Sequence, residues 1–112
     1  MHILIVEDHG DSAAILSKLL AKHGHTSEIA SSLALAIAAG ALTQFDVALV
    51  DLTLPDGRGE DLAPFFQEKQ IKCIALSGAH PDSIKAGIPG FIACLTKPIN
   101  FADLAVIIND VK

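Results

Sequence analysis

The sequence predicts an α/β fold in which helices cover both faces of a parallel sheet. Three observations carry that expectation. Short, wholly apolar runs rich in β-branched residues recur along the chain, as in strands buried on both faces of a parallel sheet. Segments with apolar residues at helical spacing separate those runs. The connections are short, and strict alternation of strand and helix with short connections is the signature of a helix-covered parallel sheet. The 112 residues suit one compact domain spanning 1–112.

The elements follow in order. Ile3 to Val6 is the first buried-strand run. Asp11 and Ser12 open a helix with Ile15, Leu16, Leu19 and Leu20 on one side, and Gly24 ends it. Thr26 to Ala30 is a less apolar strand. Ser31 or Ser32 caps a second helix through Leu33, Leu35 and Ile37, ending near Gly40. Val47 to Val50 is a third strand and delivers Asp51 at its end. Glu60 to Glu68 reads as a helix whose Pro64 is tolerable only near the first turn. Lys72 to Leu76 and Phe91 to Leu95 are the fourth and fifth strands. Pro81, Gly87 and Pro89 crowd the stretch between them, so a short or irregular helix is expected there. Asn100 caps a last helix through Leu104, Ala105 and Ile108.

Composition excludes several function classes. A formal net charge of -5 disfavours direct nucleic-acid binding, which rests on Lys and Arg contacts to phosphate. No apolar run approaches the roughly 20 residues that span a bilayer, so no membrane insertion is expected. Met1 to Val6 runs straight into Glu7 and Asp8, unlike a signal peptide. Cys73 and Cys94 have no metal-ligand spacing and read as free thiols in a reduced, cytoplasmic compartment. The five histidines show no metal spacing either, and His9 reads as an exposed loop residue.

In open parallel sheets, ligands bind outside the carboxyl ends of the strands. Glu7 and Asp8 follow the first strand, Asp51 the third, Ser77 the fourth and Lys97 the fifth. Taken alone, Glu7 and Asp8 also suit a helix N-terminus. Together, three carboxylates on one edge repel, and a hard divalent cation such as Mg2+ relieves that repulsion through oxygen ligands. Lys97 then pairs with Asp51 or with a phosphoryl oxygen, and the Ser77 hydroxyl donates to such an oxygen. These parts suit phosphoryl transfer to a carboxylate, with Asp51 as the nucleophile.

Glu7-Asp8, Asp51 with Leu54-Pro55-Asp56-Gly57-Arg58-Gly59, Ser77-Gly78 and Lys97-Pro98, in that order, resemble the receiver domain of two-component response regulators across essentially the whole chain. The resemblance implies a doubly wound, flavodoxin-like sheet of five parallel strands in order 2-1-3-4-5 with five helices. It implies phosphorylation of Asp51 by the phosphohistidine of a histidine kinase or histidine phosphotransfer protein. It places Mg2+ on Asp8, the Asp51 side chain and the Thr53 carbonyl, with Glu7 acting through a water. It also implies a cis bond between Lys97 and Pro98, and it allows a homodimer through the last helices. Leu54 to Gly59 and the Leu-Thr-Lys-Pro ending resemble receivers attached to hybrid sensor kinases. Such a domain is a phosphoryl relay and not a dedicated turnover enzyme. The competing expectation is a receiver-like interaction module that works without phosphorylation. An aspartyl-phosphate hydrolase is disfavoured, because Thr53 stands where a second acid would be and no cap-sized insertion exists.

The sequence departs from the family at Cys94, where many receivers carry Tyr or Phe. A thiol is too small to act as the same lever, so the aromatic switch is expected to be absent or muted, with signalling carried by loop motion. Thr53 and Ala79 occupy the positions that tune phosphoryl lifetime in the family. Neither carries a charge to orient water, so no special acceleration of hydrolysis is expected. Asp56 reads as a solvated turn residue beside Gly57.

Overall fold

A computed structural model describes residues 1–78, 90–97 and 99–111. The expected fourth helix, Ala79 and the Lys97–Pro98 bond lie outside these residues. The chain forms β1 (His2–Val6), α1 (Gly10–Lys22), β2 (Thr26–Ala30), α2 (Leu33–Leu42), β3 (Val47–Asp51), β4 (Thr53–Leu54), β5 (Gly57–Arg58), α3 (Ala63–Glu68), β6 (Lys72–Ser77), β7 (Phe91–Thr96) and α4 (Phe101–Val111). Five strands form one parallel sheet in the order β2-β1-β3-β6-β7. Counting only these five, the order is the expected 2-1-3-4-5. The remaining pair, β4 and β5, is a small antiparallel ribbon directly after β3.

The central strands alternate between two cores, because successive strand side chains point to opposite faces. Leu4, Val6, Ala48 and Val50 pack with Ala36 of α2 and Phe66 of α3. Ile3, Ile5, Leu49, Ile74 and Leu76 pack with Leu16 and Leu20 of α1 and Leu104 and Ile108 of α4. Every residue of β3 is buried, which explains why its sequence reads as an unbroken apolar run ending in one acid.

Helix boundaries follow local chemistry. Ser32, one of the two expected caps, accepts from the Leu35 N–H at 3.2 Å. Helix α1 starts at Gly10, ahead of the expected Asp11, and its N-cap position is His9, without a side-chain cap bond. It ends as expected at Gly24, whose φ of 84° favours glycine. The Gly24 N–H donates to the Ala21 carbonyl at 3.1 Å and the His25 N–H to the Leu20 carbonyl at 3.0 Å, completing a Schellman ending. The helix expected over Glu60 to Glu68 is a 3-10 turn over Gly59–Leu62 followed by α3, with Pro64 in the first turn of α3, where it removes no helical hydrogen bond. Among the described residues, no helix is long and apolar enough to cross a membrane.

Candidate functional site

The strand ends converge as the sequence predicts. Strand β1 hands the chain to Glu7, whose N–H donates to the Ala30 carbonyl of β2 at 3.0 Å. That bond anchors Glu7 at the sheet edge, and its side chain is buried. Its Oε1 accepts from the His9 N–H at 3.1 Å, and its Oε2 accepts from Lys97 Nζ at 2.7 Å. Asp8 and His9 remain exposed. Glu7, Asp8 and His9 each offer a ligand atom, and the three atoms lie within 4.8 Å of one another.

Asp51 closes β3 and is only 4% exposed. Its Oδ1 accepts from the Thr53 N–H at 2.9 Å, and its Oδ2 accepts from Lys97 Nζ at 2.9 Å. The loop after it is held on both sides. The Leu52 N–H donates to the Leu76 carbonyl and the Gly59 N–H to the Leu52 carbonyl, both at 3.1 Å. Gly59 lies so close to this turn that an added Cβ would overlap the Asp51 carbonyl oxygen. Thr53 itself is exposed in β4.

Ser77 closes β6 and is buried. Its carbonyl accepts from the Lys97 N–H at 2.7 Å, a bond that carries the parallel β6–β7 pairing one residue past β7 and aims the lysine toward the acids. Lys97 therefore bridges two buried carboxylates while a quarter of its own side chain is exposed. Burial pushes the Glu7 carboxyl above its ordinary range, against the pull of the Lys97 ammonium and the His9 N–H. Burial alone would lower the Lys97 ammonium, but hydrogen bonds to Glu7 and Asp51 hold it above its ordinary value. The pair of acids is thus kept in the fold by one shared cation.

Two features were not expected. Glu7, read as a ligand acting through water, is in this structure the closer partner of Lys97. Asp56, read as a solvated turn residue, is exposed yet caps α2: its Oδ1 accepts from the Leu33 N–H at 2.8 Å and its Oδ2 from the Ala34 N–H at 3.1 Å. No local sequence signal marks such a cap, because donor and acceptor lie more than 20 residues apart. Cys94 is half-buried in β7, in register with Ala75 of β6. Burial raises both thiols, Cys73 to about 12.

One sheet edge thus gathers two buried acids, the residue Ser77 and a shared lysine. The chain belongs to the response regulator receiver domain family, whose profile matches residues 3–109. It is 30% identical over 105 residues to the response regulator protein PilR of Pseudomonas aeruginosa. That alignment takes in 90% of this chain and 24% of PilR, so the chain spans about a quarter of that relative's length. Among solved structures it is similar to the CheY-like receiver domain from Methylobacillus flagellatus, with a TM-score of 0.90 and 31% identity over 100% of this chain and 98% of that one. The response regulator TrrA from Thermotoga maritima shares the fold, with a TM-score of 0.88 and 19% identity over 99% and 98% of the two chains.

Proposed function

We propose that this receiver domain takes a phosphoryl group onto Asp51 from the phosphohistidine of a histidine kinase or histidine phosphotransfer protein. The observation that carries the reading is the Lys97 ammonium, which touches Asp51 Oδ2 at 2.9 Å while anchored by the buried Glu7 at 2.7 Å. In the transfer, an Asp51 carboxylate oxygen bonds to phosphorus as the phosphorus–nitrogen bond breaks, and the imidazole leaves with that electron pair. Lys97 is positioned to neutralise charge on the arriving phosphoryl oxygens, and the Ser77 hydroxyl to donate to one of them. The donor set is made of oxygens around the strand ends, as a hard cation requires. Asp8, the Asp51 carboxylate and the Thr53 carbonyl would hold Mg2+, with Glu7 acting through a water. Bound there, the ion adds positive charge beside the phosphoryl oxygens.

On this reading the domain is a cytoplasmic relay and switch, not a dedicated turnover enzyme. A hybrid sensor kinase is the kind of partner this reading expects. TrrA was solved in complex with Mg(2+)-BeF, and the same reagent is a suitable probe here. The half-buried Cys94 in the usual aromatic position favours a second reading, a module that signals without phosphorylation.

The mass of the intact protein after incubation with Mg2+ and acetyl phosphate or phosphoramidate tests the proposal. One added phosphoryl group, absent from Asp51→Asn, is the expected result. Absence of both the adduct and any binding of Mg2+ and beryllofluoride would overturn it in favour of the second reading.

A further inference from the structure

The turn that follows Asp51 reaches as far as helix α2. Strands β4 and β5 pair antiparallel, Thr53 opposite Arg58 and Leu54 opposite Gly57, with Pro55 and Asp56 at the tip of the ribbon. One end of the ribbon is held by the candidate site, where the Thr53 N–H donates to Asp51 Oδ1 at 2.9 Å. The other end holds the helix. Both Asp56 carboxylate oxygens are committed there, Oδ1 to the Leu33 N–H at 2.8 Å and Oδ2 to the Ala34 N–H at 3.1 Å. The ribbon also lies directly on the Leu33 side chain, because an added Cβ at Gly57 would overlap Leu33 Cδ1. Between the two ends, Leu54 is buried in the core cluster against which Leu33 packs.

Asp56 does not duplicate the local cap. The first amides of a helix have no partner within it. Ser32 serves the Leu35 N–H. The Leu33 and Ala34 amides ahead of it are served by Asp56, 23 and 22 residues further along the chain. A carboxylate with one oxygen on each of two successive amides has no slack, so a shift of the ribbon lengthens at least one of the two bonds.

We infer that phosphorylation of Asp51 loosens the start of α2, with the β4–β5 ribbon as the lever. The inference rests on the phosphoacceptor reading of Asp51. In this structure the Thr53 N–H has a carboxylate acceptor. Hydrogen bonds to an ionised acceptor are roughly twice as strong as neutral ones. Once an Asp51 oxygen is bonded to phosphorus, in place of the donor's imidazole nitrogen, the carboxyl no longer carries its charge. The negative charge then stands on the phosphoryl oxygens, farther out from β3, and the Thr53 N–H follows it. Leu54 keeps the middle of the ribbon in the core, so this displacement tilts the tip and draws Asp56 off the Leu33 and Ala34 amides. The order of the first turn of α2 thereby reports the state of Asp51.

Amide hydrogen exchange followed by NMR, with and without Mg2+ and beryllofluoride in the phosphoryl position, tests the lever. Exchange at the Leu33 and Ala34 amides should quicken by about two- to fivefold on binding, up to the factor that loss of an N-cap gives. The His25 amide, bonded to the Leu20 carbonyl at the other end of α1 from the site, should not change. In Asp56→Ala both amides should exchange fast from the start and ignore the probe. Coupling between two sites is reciprocal, so Asp56→Ala should also bind Mg2+ and beryllofluoride more tightly by the same factor in a calorimetric titration. A parent that binds the probe with the two amides unchanged or slowed overturns the lever and leaves the phosphoacceptor reading in place. So does an Asp56→Ala variant that binds no more tightly than the parent. A parent that neither binds the probe nor forms an adduct with acetyl phosphate overturns both.

Discussion

The Lys97 ammonium lies 2.7 Å from Glu7 Oε2, joining two residues 90 positions apart. The contact is shorter than the 2.9 Å from the same nitrogen to Asp51 Oδ2. Lys97 is thus shared by Glu7 and Asp51. Glu7 is fully buried and touches the lysine with one oxygen and the backbone of His9 with the other, so it fixes where the cation stands.

Removing that cation should destabilise the fold in a pH-dependent way. Lys97→Met leaves two buried carboxylates without a compensating cation, at an expected cost of about 2 kcal/mol at neutral pH, discounted from a fully buried pair because Lys97 is partly exposed. The Glu7 carboxyl is already raised by burial above its usual 4.5. A raised carboxyl contributes its stability below the unfolded value and loses it as pH rises through the folded value. The deficit of the variant should therefore be smaller near pH 4 than at pH 8. Urea midpoints at both pH values check this, and an equal deficit at the two would contradict it.

Gly59 should tolerate no side chain. In Gly59→Ala the new Cβ would overlap the Asp51 carbonyl oxygen and lie 2.9 Å from both Leu52 Cα and Val50 Cγ1. Backbone cannot yield as a flexible side chain does, so a loss of about 2 kcal/mol or more is expected. The shift should also displace the turn that presents Asp51. Denaturant midpoints and the phosphorylated fraction with acetyl phosphate should fall together.

Asp56 should protect the start of α2. Its carboxyl is held below the usual 3.8 by the Leu33 N–H and then by the Ala34 N–H. A depressed carboxyl stabilises above the unfolded value, and that contribution is lost only as pH falls through the folded value. In Asp56→Ala, hydrogen exchange at the Leu33 and Ala34 amides should quicken at neutral pH. The difference from the parent should persist to about pH 4 and close below it. Unchanged exchange at those two amides would remove Asp56 from the capping role.

The sequence made most of this candidate site legible because its residues stand at strand ends. An apolar run that stops at Asp51, and another that stops at Ser77, locate both residues without any tertiary information. The order of the parallel strands then brings them to one edge. What sequence could not show are the pairings that cross the chain. That Lys97 also pairs with Glu7, and that Asp56 reaches back to α2, depend on distances set by the finished sheet. Periodicity also missed the orientation of α2. A helix apolar all round has no preferred face, and packing of residues such as Ala36 and Gly40 against the core sets which side turns inward.

The end of α3 offers a gain in stability. It closes as α1 does, with the Ile71 N–H on the Phe66 carbonyl at 2.9 Å and the Gln70 N–H on the Gln67 carbonyl at 3.0 Å. Phe66 and Ile71 belong to the same core cluster, the apolar contact that accompanies a Schellman ending. In α1 the left-handed position is Gly24, but here it is Gln70, with φ of 61°. A side chain in that conformation costs roughly 1–2 kcal/mol, and Gln70 is exposed. Glycine removes the strain but adds freedom to the unfolded chain, which cancels part of the gain. Gln70→Gly should therefore stabilise by about 1 kcal/mol, read as a higher urea midpoint at unchanged slope. Gln70→Ala should give no such gain, because its Cβ keeps the same clash. If alanine and glycine stabilised equally, strain at this helix end would not be the cause.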